Sequence, residues 1–155
     1  MGSREVLPSL GLGNIALHSS DLKEAEKWFE QARALKPEHP AVLMAWGRLL
    51  AAKGEAKEAK ELLEKSKAKG EDSATIFAEL GSVYSKLKMW DKAAESYREA
   101  LRMRRRRNDW RLALGQAYAQ LGKIAEAERK YREVLAFSAD DVDALKGLQA
   151  LGKRY

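Results

Sequence analysis

Apolar and polar positions recur with a helical period along nearly the whole chain. In "ATIFAELGSVYSKL", Phe77, Leu80 and Tyr84 follow one another at spacings of three and four, which places them on one face of a helix. "WDKAAESYREAL" does the same with Trp90, Ala93, Ala94, Tyr97 and Leu101. These two adjacent stretches read as a pair of amphipathic helices.

A longer period overlies the helical one. Glycine falls at Gly13, Gly47, Gly81 and Gly115, 34 residues apart each time. Alanine keeps the same spacing at Ala25, Ala59, Ala93 and Ala127, and four residues after each comes Phe29, Leu63, Tyr97 or Tyr131. A bulky residue precedes each glycine: Leu12, Trp46, Leu80 and Leu114. Small residues suit the places where two helix axes approach closely, and large ones fill the gaps beside them. Gly54 and Gly122 fall in the turn within a pair, where a positive φ suits glycine. Asp21 is placed to cap the second helix of the first pair, and Asn108 or Asp109 the first helix of the fourth. Pro37 and Pro40 bracket the first connection between pairs, and Gly70 is expected to end the helix before the second. Trp46, Tyr84, Tyr97, Tyr118 and Tyr131 stand at core positions of the pattern.

In combination, "LG…VY", an internal alanine, an aromatic and then "AL" resemble the tetratricopeptide repeat family over nearly the whole chain. The resemblance implies an all-α fold: a right-handed superhelical solenoid of four helix pairs plus a C-terminal capping helix. As one domain it would comprise repeats over residues 6–39, 40–73, 74–107 and 108–141, then a capping helix over 142–155. Residues 1–5 would form an N-terminal tail, and its Met-Gly-Ser start looks recombinant. The chain departs from the family pattern at Ser9 and Ala16, where bulkier residues are usual, and keeps the boundary proline only as Pro37.

In this family the first helices line a concave groove that holds peptides or helices. Carried onto this chain, the groove takes in Leu7, Leu10, Asn14 and Leu17 from the first repeat and Met44 and Arg48 from the second. The third repeat adds Glu79, Ser82 and Lys86; the fourth adds Leu112, Gln116 and Gln120. Family members that hold chaperone tails grip a carboxylate with Lys and Asn residues. At the matching positions Leu10, Asn14, Ala45, Thr75 and Glu79 stand here, and only Asn14 fits. An apolar or amphipathic peptide or helix suits such a lining better, with Met44 adapting to its guest. Trp28 projects outward in the family's geometry with Leu62 one repeat later, a patch suited to self-association.

Composition narrows the chemistry. There is no cysteine, so disulfides, thiolate catalysis and Cys-based zinc sites are excluded. The two histidines, His18 and His39, have no metal-binding spacing, and no phosphate loop or nucleophile–base order is present. Glu55, Glu58, Glu61 and Glu64 lie at helical spacing near Lys57, Lys60 and Lys65, as on a solvated, ion-paired face. The expectation is a non-catalytic protein without cofactor or metal. No apolar run is long enough to span a bilayer. With no secretory signal and no cysteine, a cytoplasmic setting is expected.

Net charge is +6, and five of the basic residues are Arg102, Arg104, Arg105, Arg106 and Arg107. The positive character is therefore largely one cluster. In the repeat register this run is the connection between the third and fourth pairs, with no residues inserted to make an arm. Neighbouring arginines point in different directions around a helix end, which suits a solvated edge better than one linear phosphate track. The expected function is a protein–protein interaction scaffold with a peptide or helix in its groove. A basic-edge binder of nucleic acid, phosphate or an acidic partner is the alternative. An engineered repeat protein is a third reading.

Overall fold

The computed structural model describes residues 3–153, with side chains from Val6 onward. Among these residues it is all-α. The helices are α1 (Ser3–His18), α2 (Leu22–Leu35), α3 (Pro40–Ala52), α4 (Ala56–Ala68), α5 (Ala74–Lys86), α6 (Trp90–Met103), α7 (Asn108–Gln120), α8 (Ile124–Phe137) and α9 (Val142–Ala150). They pair as α1 with α2, α3 with α4, α5 with α6 and α7 with α8. The chain divides into two compact units, one ending at Asp72 and the other beginning at Ser73. The first two residues of the expected N-terminal tail lie outside the described residues; from Ser3 the chain is already helical.

The repeating glycines are where the two helices of a pair meet. A Cβ built on Gly13 would stand 2.3 Å from the Phe29 ring, and one on Gly47 would stand 2.7 Å from Leu63. On Gly81 it would stand 2.9 Å from Tyr97, and on Gly115 2.9 Å from Tyr131. Each second helix thus lays a large side chain on the bare backbone of its first helix, at separations a side chain on that backbone would forbid. The turn between the two helices of each pair contains one left-handed residue. Gly54 (φ 86°) and Gly122 (φ 73°) fill it in two pairs, and Ser20 (φ 61°) and Lys88 (φ 59°) adopt it in the others.

In the first unit, Val6, Leu10, Phe29, Val42, Trp46 and Leu49 form the centre of a core closed by Ala25, Ala32 and Ala45. The Trp46 indole Nε1 donates to the Phe29 carbonyl at 3.1 Å, and the Arg33 guanidinium lies 4.1 Å from the Trp46 ring centroid. Together these contacts tie α3 to α2. The buried Ser66 hydroxyl donates to the Pro40 carbonyl at 2.7 Å, so its polar atom is satisfied. In the second unit Tyr131, Val134, Ala144 and Leu148 anchor α9 on α8. Leu112, Tyr118 and Leu151 pack around them.

Asp21 caps α2, its Oδ1 accepting from the Glu24 amide at 3.1 Å. Ser73 and Asp141 do the same for α5 and α9. His39 has a role beyond that of a surface loop residue: its Nδ1 accepts from the Ala41 amide at 3.2 Å and caps α3 ahead of Pro40. The cap expected at Asn108 or Asp109 is not formed. Helix α7 already includes both, and Arg107 occupies the N-cap position without a side-chain bond. Both polar side chains are turned to arginines instead, Asn108 to Arg111 and Asp109 to Arg107. Lys65 also finds a different partner from the one its helical spacing suggests. It pairs with Glu38 at 2.9 Å, joined by Lys69 at 3.1 Å, and these two lysines hold the Glu38 carboxyl below its ordinary pKa.

Replacing Gly47 by alanine forces the new methyl into Leu63, and denaturant unfolding should show a loss of about 1–3 kcal/mol. Gly11 in α1 has nothing within 4 Å of a built Cβ. Alanine there should instead raise stability by about 0.5–1 kcal/mol in the same assay, because only the entropic cost of a mid-helix glycine is removed.

Candidate partner-binding faces

Each unit presents the outer face of its first helices, and the two faces differ in chemistry. On the first unit, α1 and α3 lie side by side. Asn14 and Arg48, one repeat apart, are joined by an Arg48 Nη1 to Asn14 Oδ1 bond of 3.1 Å. Leu7 is exposed, Leu17 and Met44 are half-buried, and Leu10 is buried within the core of its unit. Apolar side chains surround this polar link.

On the second unit a cleft of about 310 Å³ opens between Ala78, Glu79 and Ser82 of α5 and Asp109, Trp110 and Ala113 of α7. Tyr97 of α6 forms its floor and Arg107 one wall. Arg107 grips Asp109 with two bonds, Nε to Oδ1 at 3.0 Å and Nη2 to Oδ2 at 2.7 Å. Its guanidinium also lies 4.0 Å from the Trp110 ring centroid. The bond from Arg107 holds the Asp109 carboxyl below the ordinary carboxylate range. Burial pushes the Tyr97 phenol up to about 12, against the opposing hydrogen bonds to Ser82 and Ser85. Lys86, Gln116 and Gln120 are not among the residues lining this cleft. Leu112 is half-buried beside the core around Tyr131.

The arginine run separates into distinct environments. Arg102 pairs with Glu99 of its own helix at 3.1 Å. Arg107 turns into the cleft. Arg104, Arg105 and Arg106 are exposed and make no ion pair among the described residues. The loop that carries them is fixed by Arg111, a residue the sequence pattern did not single out. Its side chain is only 13% exposed and bonds the Arg105 carbonyl, the Asn108 side chain and Glu133, with the Phe137 ring beside it. The available signal was that Arg111 falls on the inner side of α7, where a charge needs partners.

Trp28 is half-buried, its indole donating to Glu24 at 2.9 Å, and Leu62 packs against the core of the first unit. No helix among the described residues is long and apolar enough to cross a membrane. Among the described residues no group of three or more His, Asp or Glu side chains is arranged to hold a metal ion.

Residues 16–80 and 78–142 each match a tetratricopeptide repeat family model. The chain belongs to the tetratricopeptide repeat family. Its fold is accordingly an all-α helical-repeat solenoid. It is 29% identical over 144 residues to the cell division cycle protein 16 homologs of Homo sapiens and Mus musculus. That similarity takes in 87% of this chain and spans 23% of the length of each relative. Among solved structures, it resembles a chain of the APC/C hetero-tetramer Cut9-Hcn1 with a TM-score of 0.84 and 24% identity. The resemblance covers 94% of this chain and 29% of that one. It also resembles YrrB, a tetratricopeptide repeat protein with an unusual peptide-binding site, with a TM-score of 0.73 and 21% identity. There the coverage is 96% of this chain and 86% of the other. These structural likenesses establish the fold. Tetratricopeptide repeat proteins generally mediate protein–protein interactions on a scaffold that is generally non-catalytic.

The Arg107–Asp109 pair predicts a titration. NMR of the Asp109 carboxyl should give a pKa below the ordinary carboxylate range, and Arg107→Ser should return it to that range. A depressed folded-state pKa stabilises above the unfolded value of about 3.9, and that contribution disappears as pH falls through the folded value. Both side chains are substantially exposed, so the stability involved is below about 1 kcal/mol.

Proposed function

We propose that this protein is a non-catalytic interaction scaffold whose first-helix faces hold an apolar or amphipathic peptide or helix. The observation that carries this reading is the lining itself. Leu7, Leu17, Met44 and Leu112 offer apolar surface that the core leaves partly open, with alanines beside them that let a guest backbone approach. Asn14, Arg48, Glu79, Ser82, Lys86, Gln116 and Gln120 supply polar positions along the same helices, and Leu10 supports them from within the core. The likeness to a repeat protein with a peptide-binding site supports the same mode of use. Similarity to a chain of a hetero-tetramer supports a role inside a larger protein assembly.

A second reading rests on Arg104, Arg105 and Arg106, which are exposed without ion pairs and create a positive edge. An acidic protein segment, a phosphate group or nucleic acid would be its ligand. Arg102 and Arg107 are already engaged by Glu99 and Asp109, so they add less to that edge. Self-association through Trp28 and Leu62 is a weaker prospect, because both side chains are partly covered.

Affinity capture from nuclease-treated lysate separates the readings. The comparison is between the intact chain, a triple Arg104, Arg105 and Arg106→Ser variant, and a Met44→Glu, Leu112→Glu variant whose folding is verified by its circular dichroism melt. On the peptide reading, a bound protein survives the arginine change and 0.5 M salt and falls about tenfold or more with the glutamates. Binding that follows the arginines and collapses with salt would establish the basic edge instead.

A further inference from the structure

In the second unit Phe137, the last residue of α8, is 67% exposed. The same position of the repeat is Leu35 in α2 and Met103 in α6. These two remain 48% and 40% exposed although a complete helix pair follows each of them. Exposure at this place therefore belongs to the edge where second helices end, whatever follows them in the chain. In the second repeat the position is Lys69, which finds an ion partner in Glu38. Phe137 has no such use for its place on the edge.

The ring adjoins two connections of opposite charge. On one side the Arg111 guanidinium lies 5.3 Å from the Phe137 ring centroid and bonds the Arg105 carbonyl, which ties the ring to the connection carrying Arg104, Arg105 and Arg106. On the other side the chain runs from Phe137 into the α8–α9 connection. There Asp140 is exposed, accepting from the Ser138 hydroxyl at 3.3 Å, and Asp141 caps α9. Asp140 stands where Arg106 stands one repeat earlier. Other charges around the ring are matched within the fold: Arg102 by Glu99, Arg107 by Asp109 and Arg111 by Glu133. Arg104, Arg105, Arg106 and Asp140 make no ion pair among the described residues.

We propose that this edge of the second unit is a self-association surface, its occupant a second copy of the chain related by a two-fold axis near Phe137. A two-fold makes one patch meet itself. The arginines of each copy then come opposite Asp140 of the other, and the two Phe137 rings meet at the centre. Charge complementarity selects this occupant. A nucleic acid or an anionic bilayer would satisfy the arginines but bring phosphates against Asp140, a like-charge contact. A second copy offers both signs with an apolar ring between them. Two connections and two helix ends make a small interface, so the association is reversible. The inference rests on the basic-edge reading, whose acidic partner it names, and does not involve the first-helix faces.

Sedimentation equilibrium of the full chain from about 10 μM to about 1 mM should show a monomer–dimer equilibrium. Phe137→Ser should weaken it by about tenfold or more. So should the triple variant Arg104→Glu, Arg105→Glu, Arg106→Glu, and so should Asp140→Arg. Mixing these two charge variants should restore the dimer, because both contacts across the two-fold again join opposite charges. Arg111 holds the connection through the Arg105 backbone carbonyl, so the triple variant should keep its thermal melt. A chain that stays monomeric, a dimer indifferent to Phe137→Ser, or charge variants whose mixture does not associate would each overturn the inference. A monomer that still captures another protein, a labelled oligothymidylate or phosphatidylserine vesicles through Arg104–Arg106 would overturn it too, while leaving the basic-edge reading in place. Loss of every arginine-dependent interaction would remove both.

Discussion

The contact between a bare glycine backbone and a large side chain governs this molecule. Phe29, Leu63, Tyr97 and Tyr131 each lie on a glycine of the partner helix at distances that exclude any side chain there. Because the two axes come so close, the intervening turn must reverse the chain in very few residues, and one of them goes left-handed. Where glycine fills that place the turn is unstrained. Ser20 and Lys88 accept it elsewhere, so helix pairing outweighs a local conformational cost of about 1–2 kcal/mol.

The same large residues serve two neighbours. Tyr131 covers Gly115 in its own pair and Gly147 in α9, so a single ring sets both the pairing within a repeat and the stacking of the next helix. Trp46 does comparable work in the first unit by bonding the Phe29 carbonyl and stacking under Arg33. With the core positions occupied in this way, the remaining positions of the first helices are released from packing. On the proposed reading, stability and recognition fall on different residues.

The arginine run shows how packing divides an apparently uniform stretch. One arginine is drawn over Trp110 and clamped to Asp109, another is paired along its helix, and three remain in solvent. What decides among them is the conformation of the connection, and that is held by Arg111 reaching back to the Arg105 carbonyl. Asn108 and Asp109 serve these arginines in preference to capping α7, because a charged donor binds a side-chain oxygen more strongly than a free amide does.

Much of the fold was legible in the sequence because repetition encodes packing. The 34-residue glycine and alanine spacing, the cap at Asp21 and the turn glycines at 54 and 122 are local or periodic signals, and each corresponds to a contact or dihedral angle in the structure. The candidate faces were legible only as positions in a register. Burial of Leu10, the clamp of Arg107 on Asp109, His39 as a cap and the anchoring role of Arg111 depend on which side chains meet across helices. So does the openness of Gly11: its residue type matches Gly147, and only the presence or absence of a ring above the backbone tells them apart. Sequence determined the helices and their pairing, since those follow from short-range periodicity and the sizes of side chains. Tertiary structure decided which groups are free to act, since exposure and charge pairing arise only when separate helices are brought into contact.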